Sequence, residues 1–203
     1  VLGGGANALG VDLPGAGPGI AGVVDRKRRV VGAMVDTHWS LFTGTPNLNF
    51  LLGGGTFTGE RTVEVTSADG ATTTVRGARV YINTGSRPAI PAIAGLDAVP
   101  YLTSTTVMEL GDAPARLAIV GAGYIALEFA QVFRRLGSAV VVLQRGSRFL
   151  PQEDPDIAAA IRKVLEQDGI EFIDDAEPDS VAPVPTGVEV AYTRNGARET
   201  LEC

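Results

Sequence analysis

The 203-residue chain carries 17 Lys and Arg against 23 Asp and Glu, and its net charge of −6 disfavours non-specific attraction to nucleic acid or to an anionic membrane. Gly, Pro or charge breaks every apolar run well short of a membrane span, and no charged-then-apolar leader opens the chain, so the expected compartment is the cytoplasm. Cys203 is the only cysteine and His38 the only histidine, which excludes an intrachain disulfide and a zinc constellation; redox chemistry would need a bound cofactor.

In chain order, residues 1–17 are rich in Gly, Ala and Pro and read as a flexible arm. Gly3-Gly4-Gly5-Ala6-Asn7-Ala8 matches a loose glycine fingerprint, but only Val1 and Leu2 precede it and Pro14 and Gly15 interrupt any helix after it. From Ile20 to Phe42 apolar residues recur at three- and four-residue spacing, the mark of a helix, which Thr43-Gly44-Thr45-Pro46 ends. The Arg26-Lys27-Arg28-Arg29 cluster reads as a solvated face of that helix rather than a nucleic-acid patch.

A strand-rich stretch follows. Leu48 to Leu52 is expected to form a strand ending at Gly53-Gly54-Gly55. Thr62-Val63-Glu64-Val65-Thr66 alternates as a half-buried strand, Asp69-Gly70 is a hairpin pair, and Thr72 to Arg76 returns from it. Ala78 to Asn83 reads as a more apolar, buried strand ending at Thr84-Gly85-Ser86-Arg87-Pro88. A Pro-rich connection leads to a short helix near Thr105 to Leu110, capped by Thr103 or Ser104. Gly111-Asp112-Ala113-Pro114 then marks a hinge.

From Leu117 the pattern becomes strand, glycine turn, helix, strand: Leu117–Val120, Tyr124–Leu136, Ala139–Leu143. Pro155 to Gln167 forms another helix with Asp154 as its cap. Glu171 to Ile173, Val188 to Tyr192 and the final Glu199 to Cys203 are strands, with a hairpin pair at Asn195-Gly196. A chain that ends inside a strand is expected to be part of a longer domain.

The glycine turn carries the chemistry. Gly121 permits the tight turn, Gly123 lets a diphosphate approach the backbone around Ala122 and Tyr124, and Ala126 allows close helix–strand packing. The helix that opens at Tyr124 and Ile125 offers free amides and its positive dipole end to the phosphates. Together these features predict dinucleotide binding. At the end of the second strand, where an acid would hold the ribose of NAD, stand Gln144 and Arg145, with Arg148 nearby. Neutral plus cationic chemistry suits the 2′-phosphate of NADPH, with NADH the less suited cofactor; the two arginines also fit solvated loop positions. Glu128 lies one turn after Tyr124 on the same helix face, placed to bond a carboxamide or a basic partner, or simply as a partly exposed helix residue.

In combination, Ile82-Asn83-Thr84-Gly85-Ser86-Arg87-Pro88, the glycine turn with Tyr124 and Glu128, and Phe149-Leu150-Pro151-Gln152-Glu153-Asp154-Pro155 resemble the flavin-dependent pyridine nucleotide-disulfide oxidoreductases, mercuric reductase-like members above all. The resemblance covers residues 18 to 203. It implies an α/β fold with two parts: a partial FAD-binding domain with an antiparallel β-meander over 18–111, and a Rossmann-like NAD(P)-binding domain over 112–203, truncated at its C-terminus. It further implies that Thr84 and Gly85 lie against FAD, that Gly55 approaches its adenine, that Tyr124 gates the flavin, and that Glu128 sits near the carboxamide.

The family's redox cysteine pair, its later Gly-Asp flavin segment and its C-terminal dimerisation domain have no counterpart in this sequence. The resemblance therefore implies a homodimeric parent that passes hydride from NADPH to FAD and on to a disulfide or a metal ion, and a fragment that is inactive alone, with no catalytic and no metal residue of its own. The alternative is a stand-alone NADP(H)-binding module or sensor without catalysis. A flavin-free dehydrogenase fits least, since no catalytic Tyr/Lys pair follows the second strand.

Overall fold

A computed structural model describes residues 19–203; the expected flexible arm, with its Gly3 to Ala8 fingerprint, lies outside the described residues. The described chain divides into two compact units, one made of residues 19–28 together with 88–203, the other of Arg29–Arg87. It is an α/β protein. Helix α1 (Ile20–Gly44) begins in the first unit, where Ile20 and Val24 are buried, and continues through the second.

In the unit Arg29–Arg87, three strands form an antiparallel meander of order β1-β2-β3: β1 (Gly54–Gly59), β2 (Thr62–Thr66) and β3 (Thr72–Arg76). The Asp69-Gly70 turn is built as its sequence predicts. Asp69 Oδ1 accepts from Ser67 Oγ at 2.6 Å and from the Ala71 amide at 3.1 Å, and Gly70 takes φ 85°.

Two expectations fail in this unit. Leu48 to Leu52 is not a strand; the first strand is β1, every residue of which is exposed, so no alternation announces it. Ala78 to Asn83 is likewise no strand. Tyr81 and Ile82 are 82% and 72% exposed, and no described strand pairs with the segment. A strand exists only as half of a ladder, so high β-propensity without a partner leaves extended chain. Trp39, Phe42 and Phe50 instead gather edge-to-face and stacked at 5.4–5.5 Å.

The other unit carries a β-α-β-α-β run: β4 (Arg116–Val120), α2 (Tyr124–Arg135), β5 (Ala139–Leu143), α3 (Pro155–Gln167) and β6 (Glu171–Ile173). The strands are parallel and adjacent in the order β4-β5-β6, the arrangement of one half of a Rossmann-like sheet. A second, antiparallel sheet follows in the order β7 (Ala176–Val184), β8 (Gly187–Arg194), β9 (Ala197–Glu202), with the Asn195-Gly196 pair at φ 51° and 78° closing the last hairpin as a type I′ turn requires.

Strand β5 explains the packing. Its side chains alternate: Val140 and Val142 join Leu127, Ala130, Phe133 and Leu165 of the helices, whereas Val141 and Leu143 join Val190, Tyr192 and Leu201 of the antiparallel sheet. A parallel strand buried on both faces needs such a continuous apolar run. Fully burying each such side chain contributes roughly 1.5–3 kcal/mol. Ser138 Oγ donates to the Pro114 carbonyl at 2.6 Å and ties the start of β5 to the approach to β4.

Three details differ from expectation here. The helix near Thr105 is one 3₁₀ turn, Thr106–Glu109, held by Thr103, whose Oγ1 accepts from the Thr106 amide while Thr106 Oγ1 accepts from the Thr103 amide. Asp154 occupies the N-cap position of α3 but makes no side-chain cap bond. Strand β7 was not expected at all, because Pro178 and Pro183 lie within it; it lies at the end of its sheet with a register shift beside Pro178, where prolines are tolerated. The basic cluster is more than a solvated face, since Lys27 and Arg28 both pair with Glu109. No described helix is long and apolar enough to cross a membrane, and no group of metal-ligating side chains gathers among the described residues.

Candidate dinucleotide-binding site

The site lies where β4 ends and α2 begins. Gly121 adopts φ 94°, a left-handed conformation that costs an L-residue roughly 1–2 kcal/mol, and its amide donates to the Leu143 carbonyl at 2.8 Å. The turn is thereby fastened to the end of β5. Gly123 serves another purpose: its backbone is extended and a Cβ built there would meet nothing within 4 Å. The space over Gly123 is open to a ligand. No side chain caps α2, and its first turn holds no acidic residue. The orphan amides of that turn and the positive end of the helix are therefore left for an anion. A diphosphate fits this cradle on steric and electrostatic grounds.

Around the cradle, Tyr124 is 73% exposed, and Ile125 and Glu128 are exposed as well. Tyr124 and Glu128 share one face of α2, a turn apart, as their spacing requires.

At the far end of β5 the predicted residues play unequal parts. Gln144 is buried, at 8% exposure. Its amide donates to the Ile173 carbonyl and its carbonyl accepts from Ala176, both at 2.9 Å, which continues the sheet past β5. Its side-chain Nε2 donates to the Arg148 carbonyl at 2.5 Å and closes the loop 145–148 on itself. Arg145 is the opposite case: its side chain is 80% exposed and held only by Glu177 at 3.6 Å. An exposed pair of this kind is worth about 0–1 kcal/mol, so a phosphate can displace it easily. Arg148 contributes its carbonyl to Gln144 and its side chain to the rim of a cleft beside α3.

Sequence reasoning missed the residue that organises this rim. Arg162, on α3, donates Nε to Glu166 and Nη1 to Asp174, both at 2.8 Å. Its guanidinium also lies 5.7 Å from the Phe149 ring centroid and 5.1 Å from that of Phe172. Only the i,i+4 spacing to Glu166 was visible in the sequence. Phe149 and Phe172 are remote from Arg162 in the chain.

The other three candidate residues belong to the unit Arg29–Arg87. Thr84 and Gly85 lie in exposed extended chain, where Gly85 takes φ 70° with open space over its Cα, a backbone that a planar ligand can approach closely. Gly55 sits in β1 opposite Val65, and a Cβ there would stand 3.4 Å from Val63 Cγ1, an ordinary contact, so packing does not require glycine at this position.

A β-α-β unit with an uncapped, glycine-lined helix N-terminus defines a nucleotide-binding class of α/β protein. Comparison with known proteins narrows the class: residues 12–203 match the family model described as pyridine nucleotide-disulphide oxidoreductase. The chain belongs to that family. It is 48% identical over 148 residues to the mercuric reductase of Streptomyces lividans, covering 73% of this chain and 31% of that one. Similarity to the mercuric reductase of Lysinibacillus sphaericus runs over 183 residues at 33% identity, covering 90% of this chain and 33% of that one. The solved structure of the HOCl-induced flavoprotein disulfide reductase RclA from Escherichia coli superposes with a TM-score of 0.78 at 29% identity, over 89% of this chain and 40% of that one. The chain thus spans about a third of the length of the curated relatives it matches.

Proposed function

We propose that this chain supplies the NADPH-binding unit, over 112–203, and part of the FAD-binding domain, over 18–111, of a mercuric reductase-like flavoprotein that passes hydride from NADPH to FAD and on to a disulfide or a metal ion. The observation that carries the reading is the open cradle of Gly121, Ala122 and Gly123 under an uncapped α2, with an exposed cation, Arg145, rather than an acid just past the end of β5.

In this reading each residue has a binding task. The amides around Gly123, Tyr124 and Ile125 hold the diphosphate. Arg145 takes the 2′-phosphate and releases Glu177, with Arg148 beside it, and Gln144 shapes the loop that presents both. Tyr124 stands as the gate over the site where nicotinamide meets flavin, and Glu128 orients the carboxamide. Thr84 and Gly85 offer backbone to the flavin and Gly55 to its adenine. When bound, the flavin supplies the two-electron chemistry.

The chain's single cysteine cannot form a dithiol, so the 203 residues alone are expected to bind nucleotide without turning over a disulfide. The test is a fluorescence titration of the chain and of Arg145→Ala with NADPH and NADH. Loss of one phosphate-binding arginine is expected to weaken NADPH by about tenfold or more and to leave NADH nearly unchanged. An unchanged preference in the variant, or tighter NADH from the outset, overturns the NADPH reading. Nucleotide binding together with a stoichiometric yellow flavin and disulfide turnover by the isolated chain would overturn the claim of inactivity.

A further inference from the structure

We infer that Arg162 is a positioning residue for cofactor choice: stacked against Phe149 and paired to Asp174, it fixes the far end of the loop that presents Arg145 and Arg148 to the 2′-phosphate. This rests on the NADPH reading above.

The loop has two anchors. At its start, Gln144 is bound into the sheet by its backbone and ties the Arg148 carbonyl by its side chain. At its end, Phe149 meets Phe172 of β6 edge-to-face, with centroids 5.3 Å apart. The Arg162 guanidinium lies within cation–π reach of both rings. Its hydrogen bonds to Glu166 on its own helix and to Asp174, just past β6, stop the group from swinging away. One side chain of α3 thereby grips the loop, the end of β6 and the helix at once.

The grip needs a planar, multiply donating cation. Arg162 faces four groups: two carboxylates and two aromatic rings. A lysine can satisfy a carboxylate as a point charge but cannot stack as a fork. The next residue along the loop shows why an anchor is required. Leu150 holds φ 45°, a left-handed conformation for a non-glycine residue, and packs partly buried against the helical core. A strained backbone of this kind persists only where its surroundings over-determine it. Arg148, Phe149 and Arg162 also line one cleft of about 280 Å³ together with Ser147, so a change at Arg162 is felt beside Arg148. Arg162 itself is three-quarters covered, with Nε and Nη1 committed to Glu166 and Asp174, so it holds the loop rather than the ligand.

The prediction is selective. NADPH and NADH share every contact except the 2′-phosphate, so loosening the loop weakens one cofactor and spares the other. Arg162→Met is expected to lower the NADPH-over-NADH preference by about tenfold through NADPH alone, and Arg162→Lys to lie between it and the wild type. Because Arg162→Met leaves Asp174 without its partner and could unfold the unit, Phe149→Leu provides a second route. It keeps both ion pairs and most of the apolar volume, removes the ring, and is expected to reduce the preference about threefold.

Each variant is titrated with NADPH and NADH beside Arg145→Ala, with its thermal melt recorded. A parallel loss of both cofactors in Arg162→Met and Phe149→Leu marks a merely structural role and overturns the inference. If Arg145→Ala removes the preference while both loop variants retain it, positioning by Arg162 fails and the NADPH reading stands. Should Arg145→Ala leave the preference intact, the NADPH reading fails and takes the inference with it.

Discussion

The two units differ in how they use apolar residues. Residues 88–203 bury them on both sides of β5, in two cores, the helical one of which also takes in Ile20 and Val24. The unit Arg29–Arg87 forms a long helical segment and three well-paired strands, yet none of its side chains belongs to either buried core, and Met34, Leu41, Leu51, Leu52 and Ile82 all lie exposed. Local pattern suffices to form secondary structure, but burial is what makes a region hold together against its conformational entropy. The proposed nucleotide cradle is built on the unit that holds its own core, and the proposed flavin contacts are carried by the one in which no side chain joins either buried core.

The contrast can be broken most directly in the cores. Phe133 is 2% exposed, so Phe133→Ala is expected to cost about 3–5 kcal/mol in urea denaturation, against no more than about 1 kcal/mol for Phe50→Ala at 40% exposure. Equal losses would show that the two regions share one stability. A smaller cost, about 1–2 kcal/mol, is expected for Gly121→Ala, from forcing a side chain onto a φ of 94°; nucleotide binding should fall further than the melt alone explains.

Cys203 sharpens the boundary of the second core. Burial pushes its thiol up, outweighing the Ala118 backbone and Arg116, so less of it is thiolate at neutral pH and iodoacetamide should modify it more slowly than a free cysteine peptide. Labelling at the peptide's rate would show this end of the core to be open. The smallest effect belongs to Glu109, which hydrogen bonds from Lys27 and then Arg28 hold below its ordinary 4.5. A lowered carboxyl stabilises the fold above its unfolded value, and that contribution is lost as pH falls through the folded one. Wild type should therefore melt slightly above Glu109→Gln at neutral pH, and the gap should close on acidification below the ordinary 4.5. A gap that persists in acid would assign the effect to something other than this charge.

Much of the fold was legible because the signals were local and doubly determined. The run Leu117 to Val120, the glycine turn and the apolar β5 each demand the same β-α-β answer, and Asp69-Gly70 and Asn195-Gly196 name their own hairpins. Reading failed where pairing rather than composition decides. Strand β1 has no buried face to pattern, β7 hides behind prolines that its position in the sheet tolerates, and Ala78 to Asn83 has strand composition but no partner. Gly121 was legible because a φ of 94° dictates glycine there, whereas Gly123, extended and with open space over it, is under no such backbone constraint. Arg162 was not legible, since its meaning depends on Phe149, Phe172 and Asp174 arriving beside it.

Gln144 shows how tightly charge and shape are joined at this site. Its amide hydrogen, buried, is what holds the Arg148 carbonyl. A glutamate there, the residue that would favour NADH, has no hydrogen to give at neutral pH and would set a buried carboxylate against a carbonyl oxygen. On the proposed NADPH reading, that one exchange is therefore expected to loosen the loop while adding one negative charge to it. If the loop selects NADPH as proposed, a path between the two cofactors runs through residues 144–149 together rather than through Gln144 alone.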